Sequence, residues 1–181
     1  MDLKYSNPAW YAAARAAFAA NPDLWKIGGI QGLTFSIVRK QGRMKQYLMD
    51  LMLYLDRLRG LPDRMDEQIC AQILRLKLAG ADSIMFWEDW GTQNQLLINP
   101  RLWRSEIKPL YRQICGNAHE LGLKVFMHSC GKMTAMIPDL IETGVDLLQF
   151  DQPQVHGIET LARFQERKNH SEEGFSFKYF W

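Results

Sequence analysis

Ser83-Ile84-Met85-Phe86-Trp87 is a continuous apolar run of strand length, and it leads straight into Glu88-Asp89-Trp90-Gly91-Thr92-Gln93. A run without polar alternation is expected where helices cover both faces of a parallel sheet. Both flanks have the spacing of helices. Upstream, Met65, Ile69, Ile73 and Leu76 lie on one face of a segment from Pro62 to Leu78, which Gly80 closes. Downstream, Asn99-Pro100 opens a helix whose stripe is Trp103, Ile107, Leu110, Ile114, Ala118 and Leu121, with Gly122 at its end. Pro109 inside that segment predicts a kink or a division into two pieces.

The same alternation extends both ways. Asn7-Pro8 has the form of an N-cap followed by proline, and predicts a helix from about Ala9 to Ala20. Trp25 to Ile30 is a short apolar run with Gly28-Gly29, a strand whose end lets backbone come close. Gln31 to Gly42 is expected to be a loop with a helical turn. Met44, Tyr47, Leu48, Leu51, Leu55 and Leu58 mark an amphipathic helix that Gly60-Leu61-Pro62 stops. Beyond Gly122 come a strand ending in His128-Ser129-Cys130-Gly131, a helix from Lys132 to Thr143 and a strand from Val145 to Phe150. A helix from His156 to Lys168 and an alternating segment from Phe175 to Trp181 complete the chain. Strands alternating with helices are the mark of βα units and a parallel sheet. Polar tips recur where strands give way to helices, the end at which α/β folds place their sites. Periodicity alone leaves a barrel and a doubly wound sheet both open.

Composition narrows the functional classes. The chain has 181 residues, 47% of them apolar, and a formal net charge of +2. That suits one globular domain and lacks the basic excess of a nucleic-acid binder. No apolar run is long enough to span a bilayer, and the N-terminus lacks the plan of a signal peptide. The three cysteines are too widely spaced for a disulfide framework, which favours a reducing, cytoplasmic setting.

Val125-Phe126-Met127-His128-Ser129-Cys130-Gly131 carries the sharpest chemistry. Residues two apart in a strand share a side, so His128 and Cys130 present an imidazole and a thiol together. Both ligand types suit zinc, which needs three or four donors. Glu88 and Asp89 are candidates for substrate positioning, support of a ligand histidine or proton transfer, and Gln93 sits on the same tip. In a strand the two acids point to opposite faces, so at most one faces a pocket. Asp151 and Gln154 follow the next strand as candidate substrate contacts, and Arg39 and Arg43 could pair with carboxylates or phosphates. Trp87, Trp90 and Trp103 are expected in the core or a pocket wall. His119, His156, Cys70 and Cys115 are assigned no catalytic role.

The ordered set Glu88-Asp89-Trp90-Gly91-Thr92-Gln93, Ile98-Asn99-Pro100, Lys108-Pro109 and His128-Ser129-Cys130-Gly131 resembles the uroporphyrinogen decarboxylase superfamily. Met49-Asp50-Leu51, Gly80-Ala81-Asp82, Gly144-Val145-Asp146 and Gln152-Pro153 continue the likeness, from about Trp25 to Ala162. It is closest to the zinc methyltransferases that act on corrinoids or thiols. The resemblance implies a (β/α)8 barrel roughly twice this length, of which the chain would hold about the third to seventh strands. It also implies zinc on His128 and Cys130, with a second cysteine on or just after a later strand that begins near Phe175; no cysteine follows Cys130, so the third protein ligand is expected to be absent and tight zinc binding by this chain alone is not expected. A small-molecule substrate and a corrinoid protein are the partners implied. True uroporphyrinogen decarboxylation is the alternative, although the arginine-rich motif that chemistry uses on the family's first strand is not in this chain. A third expectation is an incomplete, inactive barrel, or a half that works with a complement.

Overall fold

The structure, a computed structural model, describes residues 7–58, 60–169 and 178–180. Helix α1 (Pro8–Ala19) precedes strand β1 (Ile27–Gly29), followed by α2 (Thr34–Lys40), α3 (Met44–Leu53) and α4 (Leu61–Ala79). Strand β2 (Ser83–Trp87) leads to α5 (Pro100–Glu106) and α6 (Lys108–Glu120), then β3 (Lys124–Ser129) and α7 (Ile137–Thr143). Strand β4 (Leu147–Phe150), α8 (Ile158–Asn169) and β5 (Lys178–Phe180) follow.

The five strands form one sheet in the order β1-β2-β3-β4-β5, every pair parallel. Each strand thus lies beside its neighbours in sequence. A doubly wound sheet would start in its middle and reverse at a switch point. Strand order therefore decides what periodicity left open: the fold is a section of a (β/α) barrel.

Local signals place the elements. Asn7 and Asn99 cap α1 and α5, their side chains accepting from the amides of Ala9 and Arg101 at 2.9 Å each. Pro109 divides the long helix at Ile107, standing in the first turn of α6, where its missing N–H costs nothing. The Lys132–Thr143 segment is a 3-10 turn, Thr134–Met136, before α7 begins, and Pro138 in the first turn of α7 marks that start. The expected loop from Gln31 to Gly42 is largely helix α2. Its N-cap, Leu33, offers no side-chain cap, so no local signal announces it. Of the expected strand from Phe175 to Trp181, Lys178–Phe180 is observed and the rest lies outside the described residues.

Ile84, Phe86, Val125, Met127 and Leu148 have no exposed surface and pack beneath the helices with Ile73, Trp103, Tyr111 and Ile114. Each such side chain contributes about 1.5–3 kcal/mol of burial. Registered on the opposite face are Met85 beside Phe126, and Trp87 beside His128 and Gln149. That face is only partly covered: Trp87 is 37% exposed and Ile27 44%. The apolar run of β2 is therefore buried by helices on one side only, because the second side of a barrel strand faces the barrel interior. Trp90 and Trp103 are core residues, Trp90 stacked on Phe35 at 4.1 Å and donating to the Tyr111 hydroxyl at 2.9 Å.

Candidate metal centre

Strands β2, β3 and β4 end side by side, and their tips converge on the open face of the sheet. His128 is in β3, registered between Trp87 and Gln149. Its Nδ1 hydrogen-bonds the Gln149 side-chain oxygen. That contact makes Nδ1 the protonated nitrogen and leaves Nε2 as a lone pair, aimed at Cys130 Sγ 3.4 Å away. A second nitrogen tied down in this way is how ligand histidines are oriented.

Cys130 lies just past the strand. Its backbone N–H donates to Asp89 Oδ1 at 2.9 Å, and its thiol to Asp151 Oδ2 at 3.3 Å. Burial, the Asp151 hydrogen bond and the charge of Asp89 push the thiol up to about 12. Asp89, His128 and Cys130 each bring one donor atom into a group whose members all lie within 4.8 Å of one another. A group of oxygen, nitrogen and sulfur donors of this kind could hold a metal ion. Asp151 stands behind the cluster, Oδ1 being 4.0 Å from His128 Nδ1.

The tips are locked by backbone contact. Lys132 N–H donates to Thr92 O at 2.7 Å, and Glu88 N–H to His128 O at 3.1 Å. Gly91 and Gly131 pass so closely that a Cβ on Gly91 would stand 2.6 Å from the Gly131 carbonyl carbon, and a Cβ on Gly131 would strike the Gly91 carbonyl. Gly131 also has φ +76°, which a side chain would strain. Glycine in both motifs is thus required by one crossing.

The adjacent acids part company, as strand geometry demands. Glu88 is fully buried and points away from the cluster. Its Oε1 accepts the backbone amides of Leu33 at 2.7 Å and Ser36 at 3.0 Å, supplying the cap that α2 lacks in its own sequence. Oε2 has no partner, and burial raises this carboxyl to about 7 against the pull of the amides. Asp89 faces the open side, and its Oδ2 pairs with Arg39, on the last turn of α2, at 2.7 Å. Glu88 and Asp89 therefore grip α2 at opposite ends.

The other candidates spread around the rim. Gln93 donates to the Gln152 side chain at 2.7 Å, bridging the tips after β2 and β4. Gln154 is exposed in the 3-10 turn Pro153–Val155, and Arg43 is exposed where α3 begins. His119 lies at the far end of the sheet, paired with Asp146 at 2.7 Å. Cys115 is core and Cys70 partly buried on α4. The resemblance places the third ligand on a cysteine of a later strand, and no cysteine follows Cys130; the oxygen donor grouped with His128 and Cys130 is Asp89, two residues past β2. Gln149 was not singled out from sequence. Its signal was a polar side chain in the otherwise apolar run Leu147-Leu148-Gln149-Phe150, two residues before Asp151.

No helix among the described residues is long and apolar enough to cross a membrane. A comparison with curated protein sequences gives no match. Among solved structures, a methyltransferase from Methanosarcina mazei superposes with a TM-score of 0.61 at 18% identity, over 83% of this chain and 45% of that one. The chain thus spans less than half of that structure, and at this identity the likeness speaks for the fold alone. The family model for uroporphyrinogen decarboxylase (URO-D) matches residues 26–168. That interval includes every strand tip described above except that of β5, and the chain belongs to the uroporphyrinogen decarboxylase family.

Proposed function

We propose that Asp89, His128 and Cys130 hold a zinc ion, and that the site serves methyl transfer between a corrinoid and a thiol. The observation that carries this reading is the convergence of the three donor atoms within 4.8 Å. The family match over residues 26–168 includes all three donors. When bound, zinc supplies a Lewis acid that keeps a thiol as thiolate near neutral pH.

The chain's own residues prepare the place. Gln149 fixes the His128 tautomer, so that Nε2 is the donor turned inward. Asp89 holds the Cys130 amide and with it the angle of the strand tip. Cys130 would have to give up its proton to serve as a ligand, and Asp151 Oδ2, which accepts a hydrogen bond from that thiol, is placed to receive it and pass it to solvent. The open face beside Trp87 and Phe126 offers an apolar wall for a small-molecule substrate or for the ring of a corrinoid delivered by a partner protein.

Decarboxylation of a tetrapyrrole is the second reading, and it needs cationic side chains for several carboxylates. The cation at this cluster, Arg39, is paired with Asp89, which favours the first. The test is an assay of the zinc-loaded protein with methylcobalamin and 2-mercaptoethanol, following the corrinoid spectrum. The expected result is thiol-dependent demethylation that Cys130→Ser slows by more than about ten-fold, the scale seen for mere supporting residues of metal sites. Equal rates for the two proteins would overturn the reading. If activity appears only when a chain carrying the remaining βα units is added, the complement expectation is met as well.

A further inference from the structure

Five exposed apolar side chains fall together on one surface: Met49, Met52 and Leu53 of α3, then Tyr54 and Leu55 where the chain enters the 3-10 turn Leu55–Leu58. Met52 is 71% exposed and Leu53 64%. Apolar residues scattered singly over a surface need no explanation, whereas a contiguous patch marks an interaction site. Spaced three and four positions apart, Met49, Met52 and Leu53 form one ridge along the helix. Beside the ridge runs a groove of about 470 Å³, lined by Leu48, Leu51 and Met52 and, across from them, by Leu96, Leu97 and Leu102. The Arg57 guanidinium fixes the turn: it pairs with Asp50 at 3.3 Å and lies 4.2 Å from the centre of the Tyr54 ring.

Closure of a barrel adds strands beyond the outer edges of β1 and β5, and the groove lies between the segments that follow β1 and β2. Such strands do not fill it. A ridge and a groove side by side on one surface are what a two-fold pair requires, each copy's ridge entering the other's groove. We propose that this surface joins two copies of the chain. Charge agrees with that occupant. Arg43 and Lys45 are exposed where α3 begins, and Asp56 is exposed in the turn beyond its end. Arg57, in the same turn, is already paired with Asp50. An antiparallel pair of α3 helices therefore sets a basic end beside an acidic one, not like against like. Size agrees as well: the patch and the groove walls offer roughly 600 Å² per copy, against about 800 Å² in a standard specific interface. The inference is independent of the metal reading, since none of these residues belongs to the cluster.

The test is sedimentation equilibrium of the full chain from about 1 to 100 μM. A monomer–dimer equilibrium is expected, with dimerisation weakened about a hundred-fold or more in Met52→Asp/Leu53→Asp. Both positions are exposed, so the variant should keep the circular dichroism of the wild type. Pairing through the open edge of β1 is the competing route to association, and Ile27→Lys blocks it. Ile27→Lys should leave the dimer unchanged. A readout on the wild type alone is oxidation of Met52 by peroxide, followed by mass spectrometry. It should slow about five-fold or more between the dilute and the concentrated protein. A wild type that stays monomeric throughout overturns the proposal, whether or not a chain carrying the remaining βα units binds there instead. So does a dimer that survives Met52→Asp/Leu53→Asp, a dimer lost in Ile27→Lys, or oxidation of Met52 at one rate in monomer and dimer.

Discussion

Glu88 and Asp89 are chemically almost the same residue, yet the strand sends one into the core and the other to the open face. Glu88 there acts as the missing cap of a helix more than fifty positions earlier, at the Leu33 and Ser36 amides. Replacing it by alanine leaves two buried amides without an acceptor. Glu88→Ala is expected to lose about 2–4 kcal/mol of stability in denaturant titration. Glu88→Gln keeps an acceptor at Oε1 and should cost about 1 kcal/mol or less. An alanine variant as stable as wild type would mean that α2 does not depend on this contact. The cluster residues His128 and Cys130 could be read as a pair from their spacing, because strand geometry alone puts them on one side. Asp89 could be read only as a candidate. Its role depends on pairing between β2 and β3, and no residue near it in the sequence encodes that pairing.

At the scale of elements, legibility followed the range of the interactions. Helices α1 and α5, and the break between α5 and α6, were readable because Asn7, Asn99 and Pro109 act within their own first turns. Helix α2 was not, because its cap comes from β2. The far end of the sheet shows the same long-range logic. Asp146, next to β4, accepts the Val125 amide at 2.8 Å and His119 at 2.7 Å, with Lys124 at 3.4 Å. Burial pushes this carboxyl up, but the His119 hydrogen bond, the Val125 amide and the neighbouring cation overcome it and hold it below its usual value. A depressed carboxyl contributes stability that is present above the unfolded value, near pH 3.9. That stability is lost as pH falls through the lower folded value. Wild type is therefore expected to lose stability in acid below about pH 4. Asp146→Asn should be less stable at pH 7 and show a shallower acid slope. Parallel slopes for the two proteins in pH-dependent denaturation would contradict this linkage.

For the molecule as a whole, the sequential order of five parallel strands makes the chain a section of a barrel, and the open face of that section carries the cluster. The alternation of strands with helices was legible apart from α2 and the end of α3, which stops at Leu53 and gives way to a 3-10 turn, Leu55–Leu58, where one helix to Leu58 was expected. The choice of barrel over doubly wound sheet was not, since it rests on which strands are neighbours, a property of the assembled sheet. The metal centre proposed above takes its three donors, Asp89, His128 and Cys130, from this section alone. Titration of the purified chain with Co(II), followed by absorbance, puts that proposal to the test. The expected result is a single bound equivalent with a thiolate-to-cobalt charge-transfer band. Cys130→Ser should abolish the band, and Asp89→Asn should weaken binding by about ten-fold or more. A folded chain that gives no such band, or a band that survives Cys130→Ser, would contradict it.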